Sequence, residues 1–174
     1  MNLANRTEAL ASYAILDTQR EPAFDEVARI AALVCRTPVA VVNLVADDRQ
    51  WFKAEVGLGV QTTPLETSFC AQALLQRGLT VVRDATQGPR FACNPLVTGA
   101  PHLRFYAGAV LETSEGVPIG TVCVLDYQPR AEGLGEMERE VLTSLARVVM
   151  ALLEQRKFRR SEARTWDAGA ARAD

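Results

Sequence analysis

The chain has 174 residues, of which 48% are hydrophobic and 23% are charged. A chain of this length buries about 70% of its unfolded surface, which is enough for a core of its own, and its composition excludes a wholly disordered polypeptide. Nineteen basic and 21 acidic residues give a net charge of −2, which excludes the polycationic surface typical of nucleic-acid-binding proteins.

The sequence predicts neither a membrane-spanning segment nor a metal site. No apolar run approaches the roughly 20 residues of a membrane span, and the first residues lack the pattern of a secretory signal, so we predict a cytoplasmic protein without membrane contact. The four cysteines are scattered without a CxxC pair, and His102 is the single histidine of the chain. We therefore expect no metal site.

The chain begins with two predicted helices. Residues 3–16 form a short amphipathic helix with Leu10 and Tyr13 on one side. A second helix begins at Glu21 and Pro22 and ends near Thr37, ahead of Pro38, because apolar residues recur at helical spacing: Phe24, Val27, Ile30, Ala31 and Val34.

A hairpin and a third helix come next. The β-branched run from Val39 predicts a buried strand, and a polar turn at 47–49 leads into its partner. In that partner, Lys53 and Glu55 alternate with apolar residues, which predicts a mostly polar face near the edge of an antiparallel sheet. Thr67 or Ser68 caps a helix that ends at Gly78.

The rest of the chain is predicted to hold three strands, a long ordered loop and a long helix. Residues 79–84, 105–113 and 117–127 form the strands, and the 20 residues 85–104 form a loop rich in proline and glycine. A helix follows from about Leu134. This order predicts an α+β fold built on an antiparallel sheet.

The long loop is the strongest candidate for a binding site, because binding residues concentrate on loops. We predict a pocket between the sheet and residues 84–104, in which an arginine would favour an anionic or carbonyl-bearing ligand. Its expected lining residues are Phe69, Cys70, Phe91, His102, Arg104 and Tyr106. Other roles remain open at these positions: a backbone hydrogen bond for His102, an ion pair for Arg104, and core packing for the aromatic rings together with Trp51.

Catalytic motifs are missing from the sequence. No GxSxG, Walker, HExxH or GxGxxG pattern occurs, so the sequence gives no support to a hydrolase, kinase or dehydrogenase. Asp84 and Asp126 each end a strand and are interpreted as turn residues.

Several linked motifs resemble a known family. The segments ETSFCAQAL, DATQGPRFACNPLVTGAPHLRFYAGAVLET and IGTVCVLD are similar to the GAF domains of bacterial signalling proteins. The resemblance implies a sheet of five or six strands with helices on both faces, the first and last helices on one face and a ligand pocket on the other. It also implies a non-catalytic sensory or regulatory module, alone or in front of a kinase or cyclase of a two-component or cyclic-dinucleotide system. The implied division is an N-terminal helix at 1–20, the GAF domain at 21–156 and a helix end with a flexible tail at 157–174.

The departures from the family pattern concern its cofactors. The NKFDE-type set of cyclic-nucleotide-binding members is missing, and Cys70 and Cys93 are followed by Ala71 and Asn94 instead of the histidine that follows the bilin cysteine. We therefore expect no cofactor.

Two alternatives to a ligand-binding module stay open. The related free methionine-R-sulfoxide reductases place reactive cysteines in similar segments, which would make Cys93 the nucleophile, Cys70 the resolving thiol and Asp126 the nearby acid. The second alternative is a dimerisation scaffold with a vestigial pocket.

The last helix predicts a parallel two-fold homodimer, and the alternative is a single wide apolar stripe packed wholly on its own domain. One stripe, formed by Leu142, Val149 and Leu153, would cover the sheet. An adjacent stripe would meet a second copy together with the N-terminal helix at Leu10 and Tyr13. The residues of that adjacent stripe are Val141, Leu145, Val148 and Leu152.

Overall fold

The computed structural model of the protein describes residues 3–170. Within this range the helices are α1 (Leu3–Tyr13), α2 (Pro22–Cys35), α3 (Phe69–Ala73), α4 (Pro95–Thr98) and α5 (Glu136–Ala170). The strands are β1 (Val39–Val45), β2 (Arg49–Val56), β3 (Thr62–Pro64), β4 (Leu79–Val82), β5 (Phe105–Glu112) and β6 (Pro118–Asp126). None of the helices in this range is long and apolar enough to cross a lipid bilayer.

The six strands form one antiparallel sheet in the order β3-β2-β1-β6-β5-β4. The two predicted hairpins, β1–β2 and β5–β6, are confirmed, and β6 pairs with β1 to join them at the centre of the sheet. This arrangement confirms the α+β fold with helices on both faces.

The two faces of the sheet carry two separate buried clusters. On the helical face, α1, α2 and α5 cover a large core that includes Leu10, Phe24, Trp51 and Leu142. On the loop face, α3, α4 and the segment between β4 and β5 cover a smaller cluster. Alternation along the strands separates the two sets, so that Cys123 lies in the loop-face cluster while its neighbours Val122 and Val124 lie in the helical core.

The predicted polar face of β2 is wrong, because Lys53 is buried. Val42 pairs with Ala54 and Asn43 with Phe52, so Lys53 is the extra residue of a β-bulge. Its side chain lies on the same face as Trp51, in the helical core, where Nζ donates to Thr18 Oγ1 at 2.9 Å and pairs with Glu21 Oε1 at 2.7 Å. β2 is also not an edge strand, since β3 covers its outer side.

The predicted division of α5 into two apolar stripes is only partly correct. Leu142, Val149 and Leu153 pack on the sheet as expected, but Leu145 is also buried in the same core. Leu10 and Tyr13 of α1 are buried there as well, so these three side chains are not available to a second copy. The reason is that α1 and α5 pack against each other and against the sheet. These contacts bury a wider apolar face of α5 than the spacing of its apolar residues alone predicts.

The ends of several elements differ from the prediction. α3 begins as expected after Ser68, whose side chain accepts a hydrogen bond from Ala71 N, but it ends at Ala73 well before Gly78. The long loop is ordered and contains the short helix α4. α5 continues to Ala170 through most of the predicted tail, and residues 171–174 lie outside the described range.

Candidate functional site

Four of the six predicted lining residues come together on the loop face. Phe69 and Cys70 from α3, Phe91 from the loop and Tyr106 from β5 belong to one buried cluster. The rings of Phe69 and Phe91 stack with centroids 4.4 Å apart, and the Tyr106 ring lies 5.6 Å from Phe69. The predicted location between the sheet and the long loop is therefore occupied by packed side chains of the protein itself.

Local capping positions the segments that cover this cluster. Asn94 Oδ1 accepts a hydrogen bond from Leu96 N at 2.9 Å and so caps α4, while Asn94 Nδ2 donates to Thr67 O at 3.1 Å. A single side chain thus connects the start of α4 with the residues just before α3. Both covering segments are held together by this contact.

The other two predicted residues lie outside the cluster. His102 is exposed, with a left-handed φ of 61°. Arg104 Nη1 donates to the carbonyl oxygens of Val97 at 2.9 Å and Leu103 at 3.0 Å, so its guanidinium binds the end of α4 to β5. Arg104 thus holds the loop in place through backbone contacts. These contacts take the place of the ion pair that was one of the roles left open for this residue.

The close approach of Tyr106 to the sheet depends on a glycine. The Tyr106 ring lies along β5 over Gly108, and a Cβ atom at Gly108 would stand 2.2 Å from the hydroxyl oxygen. Because Gly108 pairs with Cys123, the hydroxyl is placed above the centre of the sheet. Gly108 therefore makes room for a polar group inside an otherwise apolar cluster.

A row of uncharged polar side chains crosses the loop face below the cluster. Asn43 Nδ2 donates to Gln50 Oε1 at 3.2 Å, and Gln50 Nε2 donates to Thr63 Oγ1 at 2.8 Å. Asn43 also pairs with Thr121 on β6, which extends the row to the middle of the sheet.

Several polar atoms of this face are buried without a hydrogen-bond partner. They are Asn43 Oδ1, Thr80 Oγ1, Tyr106 Oη and Thr121 Oγ1. Thr80 belongs with them because it pairs with Gly108 on β5. A buried polar atom without a partner costs about 1–3 kcal/mol, so each of these four atoms would be stabilised by a further hydrogen-bonding group.

Two sulfur atoms lie at the same place. Cys70 Sγ is 3.4 Å from Cys123 Sγ. A hydrogen bond from the Cys123 thiol makes the largest contribution to the pKa of Cys70, which lies below its ordinary value despite burial. The hydroxyls of Thr121 and Tyr106 are near enough to add to this effect, whereas burial raises the pKa of Cys123.

The residues of the reductase alternative have other surroundings than that alternative assigns them. Cys93 is exposed, and Cys70 is buried in contact with Cys123. Asp126 Oδ2 pairs with Arg130 Nη2 at 2.8 Å, and its Oδ1 accepts from Gln128 N, as expected of a turn residue. The thiol in contact with Cys70 is thus that of Cys123, and the Asp126 carboxylate is already bound within its own turn.

Sequence reasoning missed Asn43, Thr80, Thr121 and Cys123. A usable signal existed at Asn43, because an asparagine inside the β-branched run VAVVNLV must be buried with its amide. Thr121 and Cys123 lie two residues apart on one strand and so face the same side, but nothing local indicates which side that is. Among the described residues, no three His, Cys, Asp or Glu side chains are grouped so that they could hold a metal ion.

A six-stranded antiparallel sheet, with long helices on one face and a loop-covered cluster on the other, defines an α+β domain of the GAF class. The family model for the GAF domain matches residues 19–153. This chain belongs to the GAF domain family. α1 lies before the matched segment but contributes to the same core.

Relatives of known name and structure agree with this assignment. The chain is 43% identical over 137 residues to the cyclic di-GMP phosphodiesterase PA2567 of Pseudomonas aeruginosa, and the match covers 79% of this chain but only 23% of that protein. The GAF domain of Acinetobacter phosphoenolpyruvate-protein phosphotransferase superimposes with a TM-score of 0.64 at 16% identity, over 89% of this chain and 95% of that one. The free methionine-R-sulfoxide reductase of Neisseria meningitidis superimposes with a TM-score of 0.59 at 18% identity, over 92% and 93%. At 16% and 18% identity, these two structures establish the fold only.

Proposed function

We propose that this chain is a non-catalytic sensory module that binds a small, uncharged polar molecule on the loop face of its sheet. The observation that carries the proposal is the set of four buried polar atoms without partners, on Asn43, Thr80, Tyr106 and Thr121. Proteins retain such a cost chiefly where function requires it.

The chemistry of these atoms indicates the class of ligand. Asn43 Oδ1 accepts hydrogen bonds, while the three hydroxyls both donate and accept. A neutral molecule with both a donor and an acceptor, such as a primary amide, would pair with them. An anion is disfavoured because Arg104 is already bound to backbone carbonyls.

The relative of known name supports a regulatory output. A domain of this family occupies part of a much longer cyclic di-GMP phosphodiesterase. By analogy, the ligand of this chain would control an enzyme of cyclic-dinucleotide metabolism, or a kinase or cyclase, through α5. Glu154 accepts a hydrogen bond from Tyr13, and Arg156 Nη1 pairs with Glu21 Oε1 at 3.0 Å, so α5 is bound to the N-terminal segment where it leaves the core.

Thr121→Val tests the site. The substitution removes a hydroxyl that has no partner in the free protein, so we expect it to stabilise the free protein by about 1 kcal/mol. It should also abolish the rise in melting temperature that we expect neutral primary amides to cause in the wild type. Both effects are measured by thermal denaturation with and without the compound.

Thr37→Val is the matched control. Thr37 Oγ1 is also buried without a partner, but it lies between α2 and β1 on a different part of the molecule. This variant should gain stability and keep the response to the ligand. The proposal fails if none of these compounds shifts the wild-type melting temperature and native mass spectrometry finds no small molecule on the purified protein. Turnover of methionine-R-sulfoxide that is lost in Cys93→Ser would establish the reductase instead.

We also propose that α5 forms a parallel homodimer, with a revised interface. The apolar residues that stay exposed on its outer side are Met137, Val148 and Phe158, flanked by half-buried Val141 and Leu152. A two-fold axis along the helix would let this surface cover itself. Leu33 of α2 is exposed too and adds to the apolar surface.

Val148→Glu tests the dimer. Val148 is 46% exposed, so a glutamate there leaves the core intact but places a charge in the proposed interface. Light scattering at tens of micromolar should give twice the 19.0 kDa chain mass for the wild type and the single mass for the variant. Leu75→Glu, at a position 65% exposed near α3, should remain a dimer. A monomeric wild type would contradict the proposal.

A further inference from the structure

Two of the four cysteines are in contact inside the protein. Cys70 of α3 is 5% exposed and Cys123 of β6 is fully buried, with their sulfur atoms 3.4 Å apart. Cys35 lies in the core on the opposite face, and Cys93 is exposed. We infer that Cys70 and Cys123 are a redox pair, which a hydroperoxide converts to a reversible disulfide. The inference goes beyond ligand binding and does not require it.

The geometry needs only a short movement. A disulfide has an S–S distance of about 2.05 Å, so the two sulfurs must approach each other by roughly 1.3 Å. Cys123 cannot supply this movement, because β6 is paired on both sides, with β1 and β5. Cys70 belongs to a helix of only five residues that rests on the sheet. The movement therefore falls to α3 and the Cys70 side chain.

The surroundings select Cys70 as the attacking thiol. Residue Cys70 is 5% exposed whereas Cys123 is fully buried, and the neighbouring Cys123 thiol and the hydroxyls of Thr121 and Tyr106 favour the thiolate form of Cys70. Because these two hydroxyls lie beside the Cys70 sulfur, they are also placed to donate to the oxygen atom that leaves. The pKa of Cys35, by contrast, is raised to about 11 by burial and by Glu138, so this thiol stays protonated and unreactive.

The reaction proceeds in two balanced steps. The Cys70 thiolate attacks one oxygen of the hydroperoxide, an S–O bond forms, the O–O bond breaks, and the second oxygen takes up a proton and leaves as water or an alcohol. The Cys123 sulfur then attacks the Cys70 sulfenic acid, an S–S bond forms, and the hydroxyl leaves with the Cys123 proton as water. Two thiols and one hydroperoxide thus give one disulfide, one water, and one further water or alcohol.

The product would connect α3 covalently to the central strand. α3 covers the loop-face cluster, and Asn94 links the residues before α3 to α4. Oxidation would therefore hold α3, and through Asn94 also α4, in place over the proposed ligand site. A hydroperoxide would in this way act on the proposed ligand site through a disulfide formed inside the domain.

Peptide mapping of the full chain tests the inference. The reduced protein is treated with a small excess of hydrogen peroxide, denatured, alkylated and digested. We expect a linked peptide that joins Cys70 to Cys123, loss of alkylation at both, and a mass lower by about 2 Da, the two hydrogens removed. Dithiothreitol should restore both thiols, and Cys35 should stay alkylatable throughout.

Three variants complete the experiment. Cys93→Ser should form the same linked peptide, because Cys93 takes no part. Cys123→Ser should stop at a Cys70 sulfenic acid that dimedone labels, and Cys70→Ser should give neither product. The inference is wrong if Cys70 and Cys123 stay alkylatable in the wild type, or if the linked peptide joins Cys70 to Cys93. Peptide mapping of the wild type and of Cys93→Ser tests the redox pair even if the Cys70→Ser and Cys123→Ser variants fold poorly. The thermal response to primary amides is measured on the reduced protein, so failure of ligand binding remains distinguishable.

Discussion

Gly120→Ala should lower the free energy of unfolding by about 3 kcal/mol or more. A Cβ atom at Gly120 would lie 2.0 Å from the backbone oxygen of Asn43 on β1. Overpacking ordinarily costs about 1–3 kcal/mol, when side chains can shift. At Gly120 the obstacle is backbone in the central β1–β6 pair, which can retreat only by breaking the pairing. Urea unfolding followed by circular dichroism measures the loss.

Gly88→Ala is the matched control for this prediction. A Cβ at Gly88 would meet nothing closer than the Phe91 side chain, at an ordinary contact distance of 3.7 Å. Its stability should stay within about 0.5 kcal/mol of the wild type, as for most exposed substitutions. A Gly120→Ala protein as stable as Gly88→Ala would show that β1 and β6 are not paired as described.

Lys53→Ala should give the second large effect, a loss of about 3 kcal/mol in the free energy of unfolding. The substitution leaves a cavity beside Phe24 and Trp51, over whose rings Nζ lies at 5.3 and 5.9 Å, and it removes the hydrogen bonds to Thr18 and Gln19. Glu21 is not left as an isolated buried charge, because its side chain is 42% exposed and still pairs with Arg156.

Lys53→Met separates packing from charge. Methionine keeps most of the buried volume but loses the ammonium group, so we expect a loss of about 1 kcal/mol from the missing hydrogen bonds. Chemical denaturation of both variants gives the comparison. If Lys53→Met costs as much as Lys53→Ala, the ion pair with Glu21 dominates and the packing argument is wrong.

The candidate site shows which of its features can be predicted from local sequence patterns. The aromatic residues Phe69, Phe91 and Tyr106 lie together on the loop face, and this shared location could be predicted because α3, the long loop and β5 each follow from capping and periodicity. His102 and Arg104 were placed in the same pocket only because they belong to the same loop and strand. Their side chains point elsewhere, since the left-handed backbone at His102 and the carbonyls of Val97 and Leu103 decide their direction.

The sequence by itself determined the longer helices and the two antiparallel hairpins, because turns, caps and apolar spacing act over a few residues. The short elements β3 and α4 were not predicted, and the family followed from the resemblance of linked motifs. Only the tertiary structure decided three further features: the inward direction of Lys53, the burial of Leu145, and the contact between Cys70 and Cys123. The bulge at Lys53 depends on the register between β1 and β2, and the Cys70–Cys123 contact joins residues 53 positions apart in the chain. Strand alternation predicts that residues two apart in a strand lie on the same face of the sheet. The packing of the sheet with α3 and α5 decides which distant side chain they contact on that face.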